Sequence, residues 1–424
     1  MQLTRSEPVA TGFRLNRQIG IGIAGIVVAV IMFLIVVANV AGDAISTLRI
    51  TYPGARPIDP PMMDIPLPTV ITTAVICGLL VAGGLTLIIR QSAAAVTWYV
   101  GTLIFAVILI ILLWAIAGSR TDIVDMLARM VRLATPIALG ALAGILCERS
   151  GVVNIAIEGL MLTGACVGFI IALTTGNTWA GLLAAIVAGG VTVMLHAALA
   201  IHFKIDQIIS GTVINILAVG VTGFLRANVI LPLEQSQVTG AALPPFPIPL
   251  LSQIPVIGPI LFNHRPITYL MLILVPLMHL LLFHTAWGLR TRAVGEHPRA
   301  ADTMGIDVIR LRYLNVLLSG FMAGLAGAWF SIEATFNFDD LMTNGRGFIA
   351  LAAMIFGKWA PFGAMGGALI FSSADALQIK IQGFDFALPA QFLQMLPYLI
   401  TIVVLAGVIG RARPPAASGK PYEK

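Results

Sequence analysis

An all-α polytopic membrane protein is what this sequence predicts, with about 10–12 transmembrane or half-spanning helices and broken helices lining a translocation path. Three observations carry that expectation. Hydrophobic residues fill 58% of the 424 positions and charged residues only 10%. A soluble domain carries roughly 25% charged residues, so the bilayer must be the main solvent here. Apolar runs recur at the length a helix needs to cross, roughly 20 residues for a hydrocarbon core of ~30 Å. Glycine reaches 42, a composition suited to lipid, where small residues let helix backbones approach.

The runs that read as crossings are 19–40, 70–89, 96–117, 133–147, 159–173, 179–201, 208–225, 267–283, 314–331, 347–356, 362–377 and 392–408. Four of them (133–147, 159–173, 347–356 and 362–377) are short or glycine-rich. They flank two polar interruptions, the pattern of discontinuous helices beside a transport path. The chain divides into an N-terminal extension over 1–126 with about three helices, a core over 127–409 and a C-terminal tail over 410–424. The first apolar run lacks a small-residue cleavage site after it, so it reads as a retained span.

An even number of crossings puts both termini on one side. Assigning them to the cytoplasm gives that side the larger share of the 25 Lys and Arg, including the cluster Arg290, Arg292, Arg299, Arg310 and Arg312, as the positive-inside rule requires. The net charge of +6 therefore reads as membrane orientation and not as nucleic-acid binding. Trp98, Trp114, Trp179, Trp287, Trp329 and Trp359 lie near span ends and are expected to anchor at the interface. Gly140/Gly144, Gly164/Gly168, Gly320/Gly324 and Gly363/Gly367 are small-xxx-small pairs, read as packing strips.

Catalytic and metal signatures are missing. The sequence has no G-x-x-x-x-G-K-[ST] phosphate loop and no nucleophile–base arrangement. Its six histidines are scattered without ligand spacing. Cys77, Cys147 and Cys166 are isolated in apolar runs and read as core residues. An enzyme is not expected, nor is a cofactor bound by this chain.

Three polar stretches carry the functional argument. The first is ERSGVVNIAIEGLML, residues 148–162. Charged and amide groups are costly at membrane depth. Gly151 and Gly159 would permit helix breaks, and Asn154 and Glu158, four apart, would share a helix face and line or shape a path. Glu148 and Arg149 read as a loop pair at the interface. The second is DQIISGTVINILAVG, residues 206–220. Ser210 can bond its own helix, whereas Asn215 needs a partner helix or a ligand. The third is GLRTRAVGEHPRAADTMGIDVIRLRY, residues 288–313. Gly295, Glu296, His297 and Pro298 read as a turn into a short helix, with Pro298 in its first turn. A short charged helix between two spans is either a docking handle or an ordinary basic loop. A further break is expected at Gly357 and Pro361, in GKWAPFG.

Together these stretches resemble the permease subunit of an ATP-binding-cassette importer, in the family of ribose and branched-chain amino-acid permeases and its nucleoside-type branch. Residues 148–162 match the pattern E-R-x-G-x-x-N-I-x-x-E-G-x-M-L. QIISGTVINILAVGVTGFL is similar to Q-x-I-S-G-x-x-x-N-x-L-A, and AVGEHPRAADTMGI to the coupling pattern A-x-G-E-x-P-x-A-A-x-x-x-G-I. QMLPYLITIVVL, residues 394–405, resembles the final span. The resemblance implies a separate ATPase subunit that hydrolyses the ATP and docks on 295–306, with Gly295, Glu296, His297, Pro298, Ala300, Ala301 and Gly305 in the coupling segment. It also implies a second homologous permease, an extracytoplasmic substrate-binding (lipo)protein and the lipid of a bacterial inner membrane. Asn154, Glu158, Ser210 and Asn215 would lie near the path, and nucleosides or related sugars would be the cargo. The competing expectation is an ion-driven secondary transporter that titrates Glu158 or Asp375. A membrane scaffold is a third reading, disfavoured because it has no need of polar breaks.

Overall fold

The computed structural model describes residues 17–54, 61–235, 243–384, 395 and 413–423. The expected span 392–408 falls outside them except for Met395. Nine helices among the described residues are long and apolar enough to cross a membrane, and the chain is an integral membrane protein built of helices. The described residues divide into two compact units. Those within Met1–Thr47 and Ile65–Arg120 form the first, and those within Leu48–Asp64, Thr121–Leu405 and Ile409–Lys424 the second.

The first unit contains α1 (Arg17–Asn39), α2 (Thr69–Arg90) and α3 (Ala93–Ala115). Ala29, Val36, Cys77, Leu80, Leu103, Ala106 and Ile110 form its core. The Tyr99 hydroxyl reaches across to donate to the Leu80 carbonyl at 3.0 Å, so the one polar atom of that ring is satisfied inside the bundle. Ile71, Leu79, Ile89, Trp98 and Phe105 face outward, as side chains solvated by lipid must.

The second unit opens with α4 (Ile123–Arg149), a single 27-residue helix. The expected short span 133–147 is thus its second half. The sequence reading stopped at Leu133 because Asp125, Arg129 and Arg132 interrupt the apolar run. The helix continues through them because Asp122 caps it, accepting from the backbone N–H groups of Val124 and Asp125, and because Asp125 pairs with Arg129, Arg132 and Lys380. α5 (Ile157–Thr175), α6 (Thr178–Ala197) and α7 (Gln207–Leu225) follow, then two short helices, α8 (Leu231–Gln235) and α9 (Ile257–Leu261). α10 (Pro266–His284) leads into the short helices α11 (Ala286–Glu296) and α12 (Pro298–Thr303). The long α13 (Val308–Ala328) is followed by the half-length α14 (Arg346–Phe356) and by α15 (Pro361–Ile381). A π-helical turn extends α6, α7 and α13, at Ala198–His202, Arg226–Ile230 and Trp329–Ala334.

Glycine sets how close the central helices come. A Cβ on Gly164 would lie 2.7 Å from the Gly324 carbonyl oxygen, and one on Gly327 would meet the Met161 carbonyl oxygen at 2.0 Å. α5 and α13 therefore touch backbone to backbone, the packing mode expected where lipid supplies no hydrophobic drive between helices. The interface role expected for every tryptophan fails at Trp329 and Trp359, both buried. Trp98 and Trp179 are exposed as expected.

Candidate functional site: a braced helix break

Between α4 and α5 the chain leaves helical geometry over Ser150–Ala156. Gly151 stands at φ +88°, a left-handed conformation that glycine adopts without penalty. Gly159, expected as a second break, lies inside α5, and the helix runs through it without interruption. Its missing side chain serves close approach instead, since a Cβ there would sit 2.9 Å from the Asn215 Cα.

Non-helical backbone at membrane depth is tolerated only when its polar groups find partners. Here side chains from neighbouring helices supply several of them. The Gln207 side-chain oxygen accepts from Val153 N–H at 2.7 Å. His196 Nε2–H donates to the Val153 carbonyl at 2.9 Å. That tautomer leaves Nδ1 as an acceptor for the Ser210 hydroxyl, 3.0 Å away. Asn154 Oδ1 accepts from Ala156 N–H at 3.0 Å, and its amide donates to Ser319 Oγ at 3.1 Å. Asn215 accepts from Gly159 N–H at 2.8 Å and donates to the Ile155 carbonyl at 2.9 Å. Arg312, 1% exposed, donates through Nε to the Ser150 carbonyl at 3.1 Å.

Three of the four residues expected near a path, Asn154, Ser210 and Asn215, thus converge on this break. The fourth, Glu158, reaches the start of the half-length helix. One of its oxygens accepts from the Thr343 hydroxyl at 2.6 Å and Gly345 N–H at 2.8 Å, the other from Gly347 N–H at 2.6 Å. A carboxylate against the orphan N–H groups of a helix N-terminus is favoured by hydrogen bonding and dipole together. Asp375 of α15 forms an ion pair with Arg346 of α14 at 2.8 Å.

The second break joins the first. α14 ends at Phe356, capped by Gly357, and α15 starts at Pro361, with Lys358 and Trp359 both at positive φ between them. Glu148 and Arg149 do not pair with one another. Glu148 accepts the Trp359 indole N–H at 2.6 Å, and Arg149 donates to the carbonyls of Trp359 and Lys358 at 3.1 and 3.3 Å. The loop-pair expectation fails because both side chains have a strained turn to hold, which sequence proximity hides.

The third stretch abuts the same place. α12 begins at Pro298, with the His297 side chain capping it by accepting from Ala300 N–H. A Cβ on Gly295 would stand 2.2 Å from the Arg149 carbonyl oxygen, so this backbone lies directly on the end of α4. Ala301 packs with Val294 and Val308 in a small core, and Gly305 ends the segment at φ +80°.

Near the other end of α4 lies a cavity of about 450 Å³ lined by Arg129, Arg132, His264, Arg265, Trp329 and Glu333, among others. Glu333 is committed to α10, accepting from Ile267 N–H and the Thr268 hydroxyl, both at 2.7 Å. The Arg265 guanidinium stacks over the Phe336 ring, 4.3 Å from its centroid. Burial and the nearby Arg132 charge hold the His264 imidazole below its usual pKa, against its bond to the Ile260 carbonyl. The sequence reading missed this cavity, His196, Gln207 and Arg312. A lone histidine in an apolar run facing a broken segment was the available signal.

The family described as branched-chain amino acid transport system / permease component matches residues 126–405. A guanosine ABC transporter permease protein, NupQ of Bacillus subtilis, is 42% identical over 72% of this chain and 99% of its own length. A nucleoside ABC transporter permease protein, NupC of Lactococcus lactis, is 39% identical over 70% of this chain and 96% of its own length. A putative glucose ABC transporter permease protein, TsgC13 of Haloferax volcanii, is 36% identical over 66% of this chain and 90% of its own length. No solved structure gives a significant match.

Proposed function

Because the chain belongs to the branched-chain amino acid transport system / permease component family, we propose that it is the membrane-spanning subunit of an importer that carries nucleosides across a bacterial inner membrane. ATP is hydrolysed by a separate ATPase subunit. A second permease completes the path, a substrate-binding protein delivers the cargo, and surrounding lipid solvates the outer face. Both termini and the segment 295–306 face the cytoplasm, where the positive-inside rule puts their arginines. The names of the relatives in Bacillus subtilis and Lactococcus lactis favour a nucleoside.

The observation that carries the reading is the seat of Gly295 on the Arg149 carbonyl. A motor that moves 295–306 moves the end of α4, which holds both breaks. ATP binding by the partner would shift this segment, and the breaks at Gly151 and at Gly357–Pro361 would be the elements that rearrange, a two-state change of packed elements. Asn154, Glu158, Ser210 and Asn215 then shape the path by bracing its broken backbone. The arginine-lined cavity near the opposite end of α4 offers donors and an indole face to a nucleoside, whose carbonyl, ring-nitrogen and ribose oxygens accept hydrogen bonds.

The test is uptake of labelled guanosine and uridine into vesicles holding the complex purified from its native membrane, with and without ATP. ATP-dependent uptake is expected, with Glu296→Lys uncoupling it and weakening ATPase retention while membrane insertion persists. Uptake that continues at full rate with the ATPase removed would overturn the reading.

A further inference from the structure

The described part of the C-terminal tail, residues 413–423, packs against the coupling segment. Ala417 N–H donates to the Gly295 carbonyl at 2.9 Å, and Gly419 N–H to the Gly151 carbonyl at 3.3 Å. Ala416 N–H donates to Glu296 at 3.2 Å. Arg312, already bound to Ser150, also donates to the Lys420 carbonyl at 3.2 Å. Lys204 and Glu423 close an ion pair at 3.1 Å, and Tyr422 covers the core of Val294, Ala301 and Val308. One short peptide thus touches the coupling segment and the helix break at the same time.

A groove of about 640 Å³ runs between the two pieces. Glu296–Arg299 line one side, and Ala416, Ala417 and Lys420–Glu423 the other. Neither piece makes this groove alone. Two acids, Glu296 and Glu423, and two cations, Arg299 and Lys420, line it; Glu296 accepts from Ala416 N–H and Glu423 pairs with Lys204, so with Lys204 included the cations outnumber the acids by one.

We propose that the tail and the coupling segment together form the receiving surface for the ATPase subunit, with the tail supplying one wall of the groove and a direct link from the ATPase to Gly151. Carboxylates of the ATPase face Arg299 and Lys420. The inference rests on the importer reading above and adds a second contact to it. It also gives the tail a mechanical role. Force applied to 295–306 reaches the break through α4, and force applied to the tail reaches the Gly151 carbonyl without passing through α4.

The native cysteines among the described residues, Cys77, Cys147 and Cys166, are all buried. A Lys420→Cys variant therefore gives a single exposed thiol for a membrane-impermeant maleimide. In the purified transporter complex, labelling is expected to be at least tenfold slower than after the ATPase is stripped away. The double variant Arg299→Glu/Lys420→Glu should lower ATPase retention severalfold at low salt, and the gap from the native chain should narrow in high salt, which screens attraction and repulsion alike. Equal labelling rates with and without the ATPase, or unchanged retention in the double variant, would overturn the tail's role while leaving the importer reading intact. A native chain that retains no ATPase at all would instead sink the importer reading, and this inference with it.

Discussion

Replacing Asn215 by leucine separates a brace from a ligand contact. The substitution keeps the branched side-chain shape at a larger volume and removes both hydrogen bonds to the broken segment, at 2.8 Å to Gly159 N–H and 2.9 Å to the Ile155 carbonyl. Side-chain hydrogen bonds inside membrane proteins contribute on average ~0.6 kcal/mol and at most ~1.7 kcal/mol. Two of them give about 1–3 kcal/mol, and the penalty for stranding buried backbone groups pushes towards the upper end. Thr212 provides the control on the same helix. Its exposed hydroxyl bonds its own helix backbone, at Ile208, so Thr212→Ala should change stability by less than about 0.5 kcal/mol. Asn215→Asp keeps the acceptor for Gly159 N–H but sets a carboxylate oxygen against the Ile155 carbonyl, and should be at least as damaging as leucine. The assay is reversible unfolding in mixed micelles of mild detergent and dodecyl sulfate. An Asn215→Leu cost no larger than that of Thr212→Ala, together with weakened nucleoside affinity, would refute the bracing argument and make Asn215 a ligand contact.

Two further outcomes follow from the geometry. Trp359→Phe leaves the buried Glu148 carboxylate without its indole partner, and should cost about 1.5–3 kcal/mol in the same unfolding assay. Adding Glu148→Gln to it should cost much less than the sum of the single changes, because the pair acts as a unit. His264 carries a pH effect with a defined sign. Its folded-state pKa lies below the unfolded value of about 6.5, so its contribution to stability is complete above that pH and is lost as pH falls towards the folded value. His264→Gln should flatten the decline in stability between about pH 7 and pH 5, and identical slopes would count against a buried neutral imidazole.

The fold class was legible because composition alone decides the solvent, and apolar runs such as Ile19–Val40 and Val70–Ile89 contain little else. The location of the first break was legible as well, since Gly151 in a polar stretch is a local signal. Less legible was what the polar side chains do there. A carboxylate in an apolar chain suggests a path equally well whether it meets a ligand or, as at Glu158, the N-terminus of α14. The difference lies in contacts 185–189 residues away, which no local pattern encodes. The same holds for Glu148 and Trp359, 211 residues apart. The start of α4 was missed for a related reason. Asp125 makes Arg129 and Arg132 tolerable by pairing with them, so a stretch that looks like a loop by hydropathy is helix in fact.

The distribution of partners around the break says where it can bend. Everything up to Gly151 is tied to one set of groups: Glu148 and Arg149 to the turn at 358–359, Ser150 to Arg312, and Gly151 to the tail. The groups from Val153 onward are mostly tied to another: Val153 to Gln207 and His196, and Ile155 and Gly159 to Asn215, while Asn154 ties back through Ser319 to α13, the helix that also carries Arg312. A motion that separated the two sets would break the Asn154–Ser319 bond and concentrate its torsional change between Gly151 and Val153, and Gly151 is the residue there with access to left-handed backbone. Gly151→Ala tests this. At φ +88° the methyl group adds strain, and it would lie 2.7 Å from the Arg312 guanidinium. Strain of this kind costs about 1–3 kcal/mol in the conformation described here, and would be relieved in any state where Gly151 leaves the left-handed region. The variant should therefore shift the transporter towards its other state, changing basal ATPase activity in the assembled complex with its substrate-binding protein absent. An alanine variant that loses stability by that amount while basal ATPase activity stays at the native level would place the hinge elsewhere.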